Sequence, residues 1–413
     1  MTEPAFRTLS CGAALATEPM AGVKSASITC LLPIGAATDP ADRSGLATVL
    51  SEMILRGAGD RDSRALADAL DTTGVNRSSG AGAQTLRLGA TFVGADFDDA
   101  VALLADIIRR PRLAEADLEP VRDLALQDLL SLLDEPRDRA MRAARMRHLT
   151  PPLNRPAEGD EAGLTAITHE DVRAHWADRA RPGSACIGVA GAIDPAHVAA
   201  KLDDLLEGWA GDAPPIEPGG AAPRGYAHEA DDTNQVQVIA LMDAPPEPSD
   251  DGALERLACA VLSGGMSGRL FTEVREKRGL CYAVSASYAA DRDFGVLSAY
   301  VGTTPERAQQ SLEVLLAELA RINTPGGAVT ADELARAREG LLSRLVFSGE
   351  STGARAGALA ADLRRLGRPR ALEELADRIR KVTLDELNAY LARRQPGPLT
   401  IQTLGPTELS TPA

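Results

Sequence analysis

The sequence predicts an α+β fold in which one domain plan occurs twice. Alternating apolar and polar runs typical of strands are followed by amphipathic helices, and this order of elements recurs after a proline- and glycine-rich run at 212–225. That composition is typical of a linker. We therefore expect two duplicated domains, an N-terminal one over 1–211 and a C-terminal one over 226–413, each a mostly antiparallel sheet backed by helices.

The first domain is predicted from residue 26 onward by apolar periodicity. Its elements are a strand at 26–35, a helix from Gly45, a helix at 63–74, a strand at 85–94, a helix at 96–110, a long helical stretch at 115–148, a capped helix at 168–180 and a strand at 185–193. The strands are short runs of alternating or continuous apolar residues, whereas the helices repeat apolar residues every three to four positions.

The second domain repeats this order after the linker. Its elements are a strand at 234–245, a helix at 250–264, a glycine-rich turn, a helix that ends at Gly279, two strands at 282–291 and 295–304, a helix at 305–322, helical sequence at 330–394 and a closing strand at 399–405. The two alternating strands flank "RDFG" and are predicted to form a hairpin.

Composition excludes several classes of function. The net charge of -15 argues against nucleic acid, since phosphate binding needs a basic face. The sequence lacks the long apolar run of a membrane span, and its first twenty residues lack the basic and apolar regions of a signal peptide. Five scattered cysteines without a CxxC pair suit reduced thiols. We therefore expect a cytoplasmic protein without nucleic-acid or membrane partners.

One helix has the plan of a metal-binding helix but lacks histidine. In "GLATVLSEMILRG" (45–57), Thr48 and Glu52 stand one turn apart and Ser51 lies between them. None of the five histidines forms an i, i+4 pair with a nearby carboxylate, so spacing predicts no self-contained histidine-based zinc site.

Three stretches of the sequence together carry a resemblance to a known family. "GLATVLSEMILRG" resembles the helix that carries the inverted zinc motif H-x-x-E-H in the pitrilysin/insulinase family of zinc peptidases, the inverzincins. "EVREKRGLCYAVSASY" is similar to the second-domain signature of that family, an Arg-x6-Tyr pair, and "LSGGMSGRLF" resembles the turn before it. The resemblance implies a metalloenzyme fold of the LuxS and processing-peptidase type, with the chain forming one half of a clamshell.

The resemblance also identifies what the first domain has lost. Thr48 and Glu52 stand where the two zinc-binding histidines belong, and Ser51 stands where the general-base glutamate belongs. Asp128 lies at or next to the place of the third ligand, a glutamate in the family. Catalytic zinc normally takes three good ligands, usually including imidazoles, and serine cannot act as the base near neutral pH. We expect this chain to bind no metal or cofactor and to be inactive alone.

The second domain keeps its signature pair. Arg275 and Tyr282 occupy the Arg-x6-Tyr positions. The resemblance implies that the tyrosine hydroxyl donates a hydrogen bond to the developing oxyanion and that the arginine holds a substrate carbonyl.

Two functions follow as hypotheses. In the first, the chain is the non-catalytic subunit of a metallopeptidase that hydrolyses peptides, and Arg275 and Tyr282 complete a site whose zinc is bound by a homologous partner chain, in a heterodimer or, alternatively, a homodimer. In the second, the chain is a catalytically inactive scaffold or assembly protein of the same fold.

Overall fold

A computed structural model describes residues 3–411 of the chain. Those residues form two compact units, each built around one sheet. Unit 1 contains the residues up to Ser131 together with Pro151–Gly220 and Ser348–Ala371, and unit 2 contains Leu132–Thr150, Ala221–Phe347 and the residues from Leu372 onward. The predicted α+β class is confirmed, and both sheets are mostly antiparallel and backed by helices.

Unit 1 contains a six-stranded sheet in the order β1-β2-β8-β3-β7-β6. The strands of this unit are β1 (Ala5–Thr8), β2 (Ala14–Pro19), β3 (Ser25–Leu32), the two-residue strands β4 (Gly57–Ala58) and β5 (Arg61–Asp62), β6 (Asn76–Ala81), β7 (Leu86–Val93) and β8 (Cys186–Gly191). Within the sheet, β2 and β8 pair in parallel and the other neighbours pair antiparallel. The sequence did not predict β1 and β2, because their alanines are weak strand formers.

The helices of unit 1 come from both halves of the sequence. They are α1 (Leu46–Met53), α2 (Ser63–Thr72), α3 (Phe97–Arg109), α4 (Leu118–Leu133), α6 (Glu161–Ala166), α7 (His169–Arg179), α8 (Pro195–Leu205) and α12 (Thr352–Leu366). Helix α7 begins with the predicted cap, in which Thr168 and Asp171 form a capping box. The predicted long helical stretch is interrupted at Pro136, because proline has no N–H and fits only the first turn of a helix.

Unit 2 contains a five-stranded sheet in the order β11-β12-β10-β13-β9. Its strands are β9 (Gly225–Ala230), β10 (Val236–Ala244), β11 (Cys281–Ala290), β12 (Gly295–Thr303) and β13 (Thr400–Gly405), and its helices are α5 (Pro136–His148), α9 (Gly252–Ser263), α10 (Pro305–Arg321), α11 (Ala331–Gly349), α13 (Leu372–Lys381) and α14 (Leu384–Arg393). The predicted hairpin is present, since β11 and β12 pair antiparallel.

Helices α5 and α12 each pack on the sheet of the other half of the sequence. Apart from the segments that contain these two helices, the chain passes from unit 1 to unit 2 between Gly220 and Ala221, inside the predicted linker. Helix α5 packs on β10 and β13, and α12 packs on β8, β3 and β2. Periodicity predicted helical structure in both places but gave no signal for the sheet that each helix covers.

The contact between α12 and the first sheet is unusually close. A Cβ atom on Gly188 of β8 would collide with the carbonyl oxygen of Ala356 and lie 2.7 Å from the amide nitrogen of Ala360. The small residues of α12 therefore let its backbone rest directly on the strand. Arg355, on the same helix, forms a buried ion pair with Glu18 of β2, with Nε 3.1 Å from Oε2. This pairing stabilises the position of α12 only while both charges keep their partners.

We predict that Gly188→Ala destabilises unit 1 by about 1–3 kcal/mol, because the added methyl group forces α12 away from the sheet. Urea unfolding followed by tryptophan fluorescence measures this, since Trp176 and Trp209 both lie in unit 1. Gly80→Ala in β6 is the matched control, as its methyl group would meet nothing within 4 Å. Equal unfolding midpoints for the two variants would contradict the close packing.

His148 at the end of α5 gives unit 2 a pH dependence. The side chain is fully buried, its Nδ1 lies 3.0 Å from Thr400 Oγ1, and burial, with the nearby Arg224, lowers its pKa from 6.5 to about 4. The folded state therefore resists protonation. The stability due to neutral His148 is complete above pH 6.5 and is lost as the pH falls from there toward 4.

We expect the free energy of unfolding of the wild type to fall relative to that of His148→Asn as the pH is lowered through this range. All five tyrosines lie in unit 2, so urea unfolding followed by tyrosine absorbance reports on it. A difference between the two proteins that does not change with pH would show that His148 is protonated equally in both states.

Candidate functional site

Helix α1 begins at a glycine whose conformation and surroundings strongly disfavour a side chain. Gly45 begins the helix with φ at 100°, a left-handed conformation that favours glycine. A Cβ atom there would lie 2.6 Å from Leu164 Cδ2 and 3.2 Å from Gly159 Cα. The segment 154–163 therefore packs directly against the start of the helix.

Asp39 satisfies the free amides at this end of α1. Its two carboxylate oxygens accept hydrogen bonds from the amides of Gly45, at 3.0 Å, and Ala47, at 2.9 Å. Burial raises the pKa of Asp39 to about 7, although these two hydrogen bonds act in the opposite direction. The start of the helix is thus fixed by a buried acid that has no part in a metal site.

The side chains at two of the motif positions bond to backbone. Thr48 is half-buried, and its hydroxyl donates to the carbonyl oxygen of Ala157 at 2.5 Å. Ser51 is buried, and its hydroxyl donates to the carbonyl oxygen of Thr48 at 2.8 Å. These hydroxyls stabilise α1 and its contact with the segment 154–163. They supply neither a metal ligand nor a general base.

The two acidic positions do not form a metal site either. Glu52 on α1 is half-buried, and Asp128 on α4 is exposed. Within residues 3–411, the side chains of histidine, cysteine, aspartate and glutamate form no group of three or more that could hold a metal ion. The residues present therefore do not fit the zinc that the resemblance implies for an active first domain.

In unit 2, the two signature residues lie on irregular backbone. Arg275 belongs to a π-helical turn, Phe271–Glu276, that follows the glycine-rich segment. Its side chain is exposed, and its guanidinium lies over the ring of Phe271, 5.0 Å from the centroid. Single π-helical turns are rare and occur frequently at functional sites.

Tyr282 occupies a bulge at the start of β11. The pairing with β12 passes from Cys281 opposite Thr303 to Ala283 opposite Gly302, so Tyr282 is the extra residue. A bulge redirects the side chain of its extra residue. The side chain of Tyr282 is 46% exposed, and its hydroxyl donates a hydrogen bond to Oε1 of Gln235.

Other polar residues surround Tyr282, and the sequence did not predict them as site residues. Tyr300 on β12 is buried and its hydroxyl donates to Oε1 of Gln237 at 2.8 Å, while the guanidinium of Arg137 lies 4.5 Å from the centroid of its ring. Burial and the neighbouring Tyr282 raise the pKa of Tyr300, so it stays protonated. The alternation of glutamines in "NQVQV" was visible in the sequence, but only the strand pairing brings them beside the tyrosines.

Two models of one peptidase family match the chain. The model described as "Insulinase (Peptidase family M16)" matches residues 15–157, a range that includes α1. The model described as "Peptidase M16 inactive domain" matches residues 166–341, a range that includes the signature arginine and tyrosine. Within residues 3–411, no helix is both long and apolar enough to cross a membrane.

Similar proteins support the same family and fold. A protein of Mycobacterium tuberculosis (strain ATCC 25618 / H37Rv), named an uncharacterized zinc protease, is 27% identical over 395 residues, which are 94% of this chain and 89% of that protein. A crystal structure of a peptidase M16 inactive domain from Pseudomonas fluorescens has a TM-score of 0.89 at 20% identity and covers 100% of both chains. A chain of complex III2 from Candida albicans has a TM-score of 0.83 at 15% identity, covering 97% of this chain and 95% of that one.

We predict that the purified chain contains well under one zinc ion per molecule after dialysis and that chelators leave its melting temperature unchanged. The reason is that the hydroxyls of Thr48 and Ser51 donate hydrogen bonds to backbone carbonyl oxygens, and the side chain of Asp128 is exposed. Elemental analysis and thermal unfolding with and without EDTA measure both effects. A stoichiometric zinc content, or a melting temperature lowered by EDTA, would contradict this account of the site.

Proposed function

As a member of the insulinase (M16) peptidase family, the chain is peptidase-like, and we propose that it is the zinc-less subunit of a two-chain metallopeptidase. In this proposal Arg275 and Tyr282 bind the substrate in a site whose zinc and general base belong to a homologous partner chain. The substrate is an unfolded peptide. We propose the cytoplasm as the location, which the free cysteines in the described structure support.

The observation that carries the proposal is the contrast between the two halves. On α1, the hydroxyl groups of Thr48 and Ser51 make structural hydrogen bonds to backbone, which supports the loss of the zinc ligand and the base from this half. In unit 2, Arg275 and Tyr282 are exposed, and a π-helical turn and a bulge present them. Irregular backbone of this kind commonly marks functional sites. A chain retaining only the substrate-binding half of a site suits a subunit that acts with a catalytic partner.

Each of the two residues has a distinct chemical part in the proposal. The partner's zinc would supply the activated water that attacks the peptide carbonyl. The hydroxyl of Tyr282 would donate a hydrogen bond to the oxygen of that carbonyl as negative charge develops on it. The guanidinium of Arg275, always charged and rich in donors, would hold a neighbouring carbonyl of the peptide and so fix its register.

A scaffold function is the second candidate. The fold likeness to a chain of complex III2 from Candida albicans favours it, and a scaffold would need neither side chain to meet a peptide. The two candidates differ in what removal of one hydroxyl group does: a scaffold would be unaffected, whereas a shared active site would lose transition-state stabilisation.

We predict that a mixture of this chain with a family member that carries an intact H-x-x-E-H helix cleaves a fluorogenic peptide faster than either chain alone. Tyr282→Phe should lower kcat of the mixture by about 10²-fold, the usual effect of losing an oxyanion donor. Arg275→Ala should raise KM, because the charge holds substrate in the ground state and the transition state alike.

Tyr288→Phe is the matched control. Tyr288 lies on the same strand, six residues further along, and its hydroxyl bonds to the carbonyl oxygen of Pro245 inside unit 2. The control should assemble and react like the wild type. Should Tyr282→Phe match this control, or should the mixture be no faster than the zinc-bearing chain alone, the scaffold function replaces the shared site.

A further inference from the structure

The hydroxyl group that the proposed function assigns to the substrate already has an acceptor in this chain. Tyr282 donates to Oε1 of Gln235, the residue just before β10. The oxygen of a primary carboxamide is the same kind of acceptor as the carbonyl oxygen of a peptide bond. In the free chain, Gln235 therefore occupies the position in the hydrogen-bond network that a peptide carbonyl would take.

The two acceptors exclude each other. A phenol hydroxyl has one proton and donates one strong hydrogen bond at a time, so a peptide carbonyl must displace Gln235 before Tyr282 can donate to it. Displacement is feasible because Gln235 is exposed and its carboxamide can turn into water without leaving a buried polar group unpaired. Gln237, two residues on, is only 2% exposed and cannot be released in this way.

The hydroxyl of Tyr282 has a second neighbour besides Gln235, the hydroxyl of Tyr300. A Cβ atom on Gly302 would lie 2.8 Å from the hydroxyl oxygen of Tyr282 and even closer to that of Tyr300, so both hydroxyls rest over this glycine. Tyr300 is buried and bonded to Gln237, which fixes it. Tyr282 thus has a rigid neighbour on one side and an exchangeable acceptor on the other.

We infer that Gln235 is a built-in competitor of the substrate. In the free chain its carboxamide oxygen accepts the hydrogen bond of the Tyr282 hydroxyl, and only an acceptor as strong as an amide carbonyl can replace it. The inference rests on the proposed function, in which Tyr282 binds a peptide carbonyl. It makes Gln235 a specificity-determining residue. The strength of its carboxamide oxygen as an acceptor sets how strong a hydrogen bond the peptide carbonyl must form with Tyr282 in order to bind.

The test is a series of variants that changes only the acceptor at position 235. The probe is an unstructured, end-blocked peptide labelled with fluorescein, and its binding to the full chain is measured by fluorescence anisotropy. Gln235→Ala removes the competitor and should tighten binding about threefold to tenfold, which corresponds to one neutral hydrogen bond. Gln235→Glu offers a charged, stronger acceptor and should weaken binding relative to the wild type.

Repeating the series with Tyr282→Phe isolates the mechanism. Without the hydroxyl there is no proton to compete for, so all three residues at position 235 should give the same affinity. Gln310→Ala, at an exposed glutamine of α10, is the control and should bind like the wild type. Circular dichroism checks that each variant is folded.

The outcomes separate this inference from the proposed function. Binding that depends on Tyr282 but not on the residue at 235, or an effect at 235 that persists in Tyr282→Phe, overturns the competitor role and leaves the shared site intact. Binding by no variant, or binding that is the same with and without the hydroxyl, overturns the competitor role and the substrate role of Tyr282 together.

Discussion

Each of the two sheets is covered in part by a helix that comes from the other half of the sequence. Helix α12 rests on the backbone of β8 at Gly188, and Arg355 brings a buried charge to Glu18 on β2. A charge in that position is stable only with its partner beside it, so the helix has a single acceptable register. Helix α5 also forms ion pairs on the side of the second sheet, but they are partly exposed: Arg139 pairs with Glu229 and Asp231. Each half of the sequence therefore contributes a helix to the cover of the other half's sheet.

The two units differ in their local structure at the positions of the family's sequence motifs. In unit 1, helix α1, which carries the motif positions, has a packing role. Gly45 lies close to Gly159, and the hydroxyl of Thr48 donates a hydrogen bond to the carbonyl oxygen of Ala157. In unit 2 the retained feature is local irregularity. A π-helical turn and a bulge are costly in a regular fold, because each interrupts a ladder of backbone hydrogen bonds. Their presence beside Arg275 and Tyr282 supports a use for these side chains beyond packing.

Much of the fold was predictable, and its exceptions have identifiable causes. The apolar runs of β3, β7, β8 and β10 predicted strands because burial and alternation leave a clear pattern. Strand β2 was not predicted because "ALATEP" has no such pattern. It forms a strand in the structure, where it pairs in parallel with β8. The split between α4 and α5 at Pro136 follows local chemistry, but the assignment of the two helices to different units does not. In the candidate site, Arg275 and Tyr282 were identified through the resemblance of their segment to the family's Arg-x6-Tyr signature, whereas Tyr300 and Gln235 carry no local signature.

The α+β class, the duplicated order of elements, the family and the absence of histidine and base from the motif helix all follow from the amino-acid sequence. Each of these is a matter of residue type and spacing along the chain. The contacts of the folded chain establish which helix covers which sheet, that the hydroxyls of Thr48 and Ser51 bond to backbone, and that Gln235 accepts a hydrogen bond from Tyr282. These outcomes depend on contacts between residues far apart in the chain. A hydrogen bond is specified by the position of both partners, and a linear sequence gives the identity of each without the distance between them.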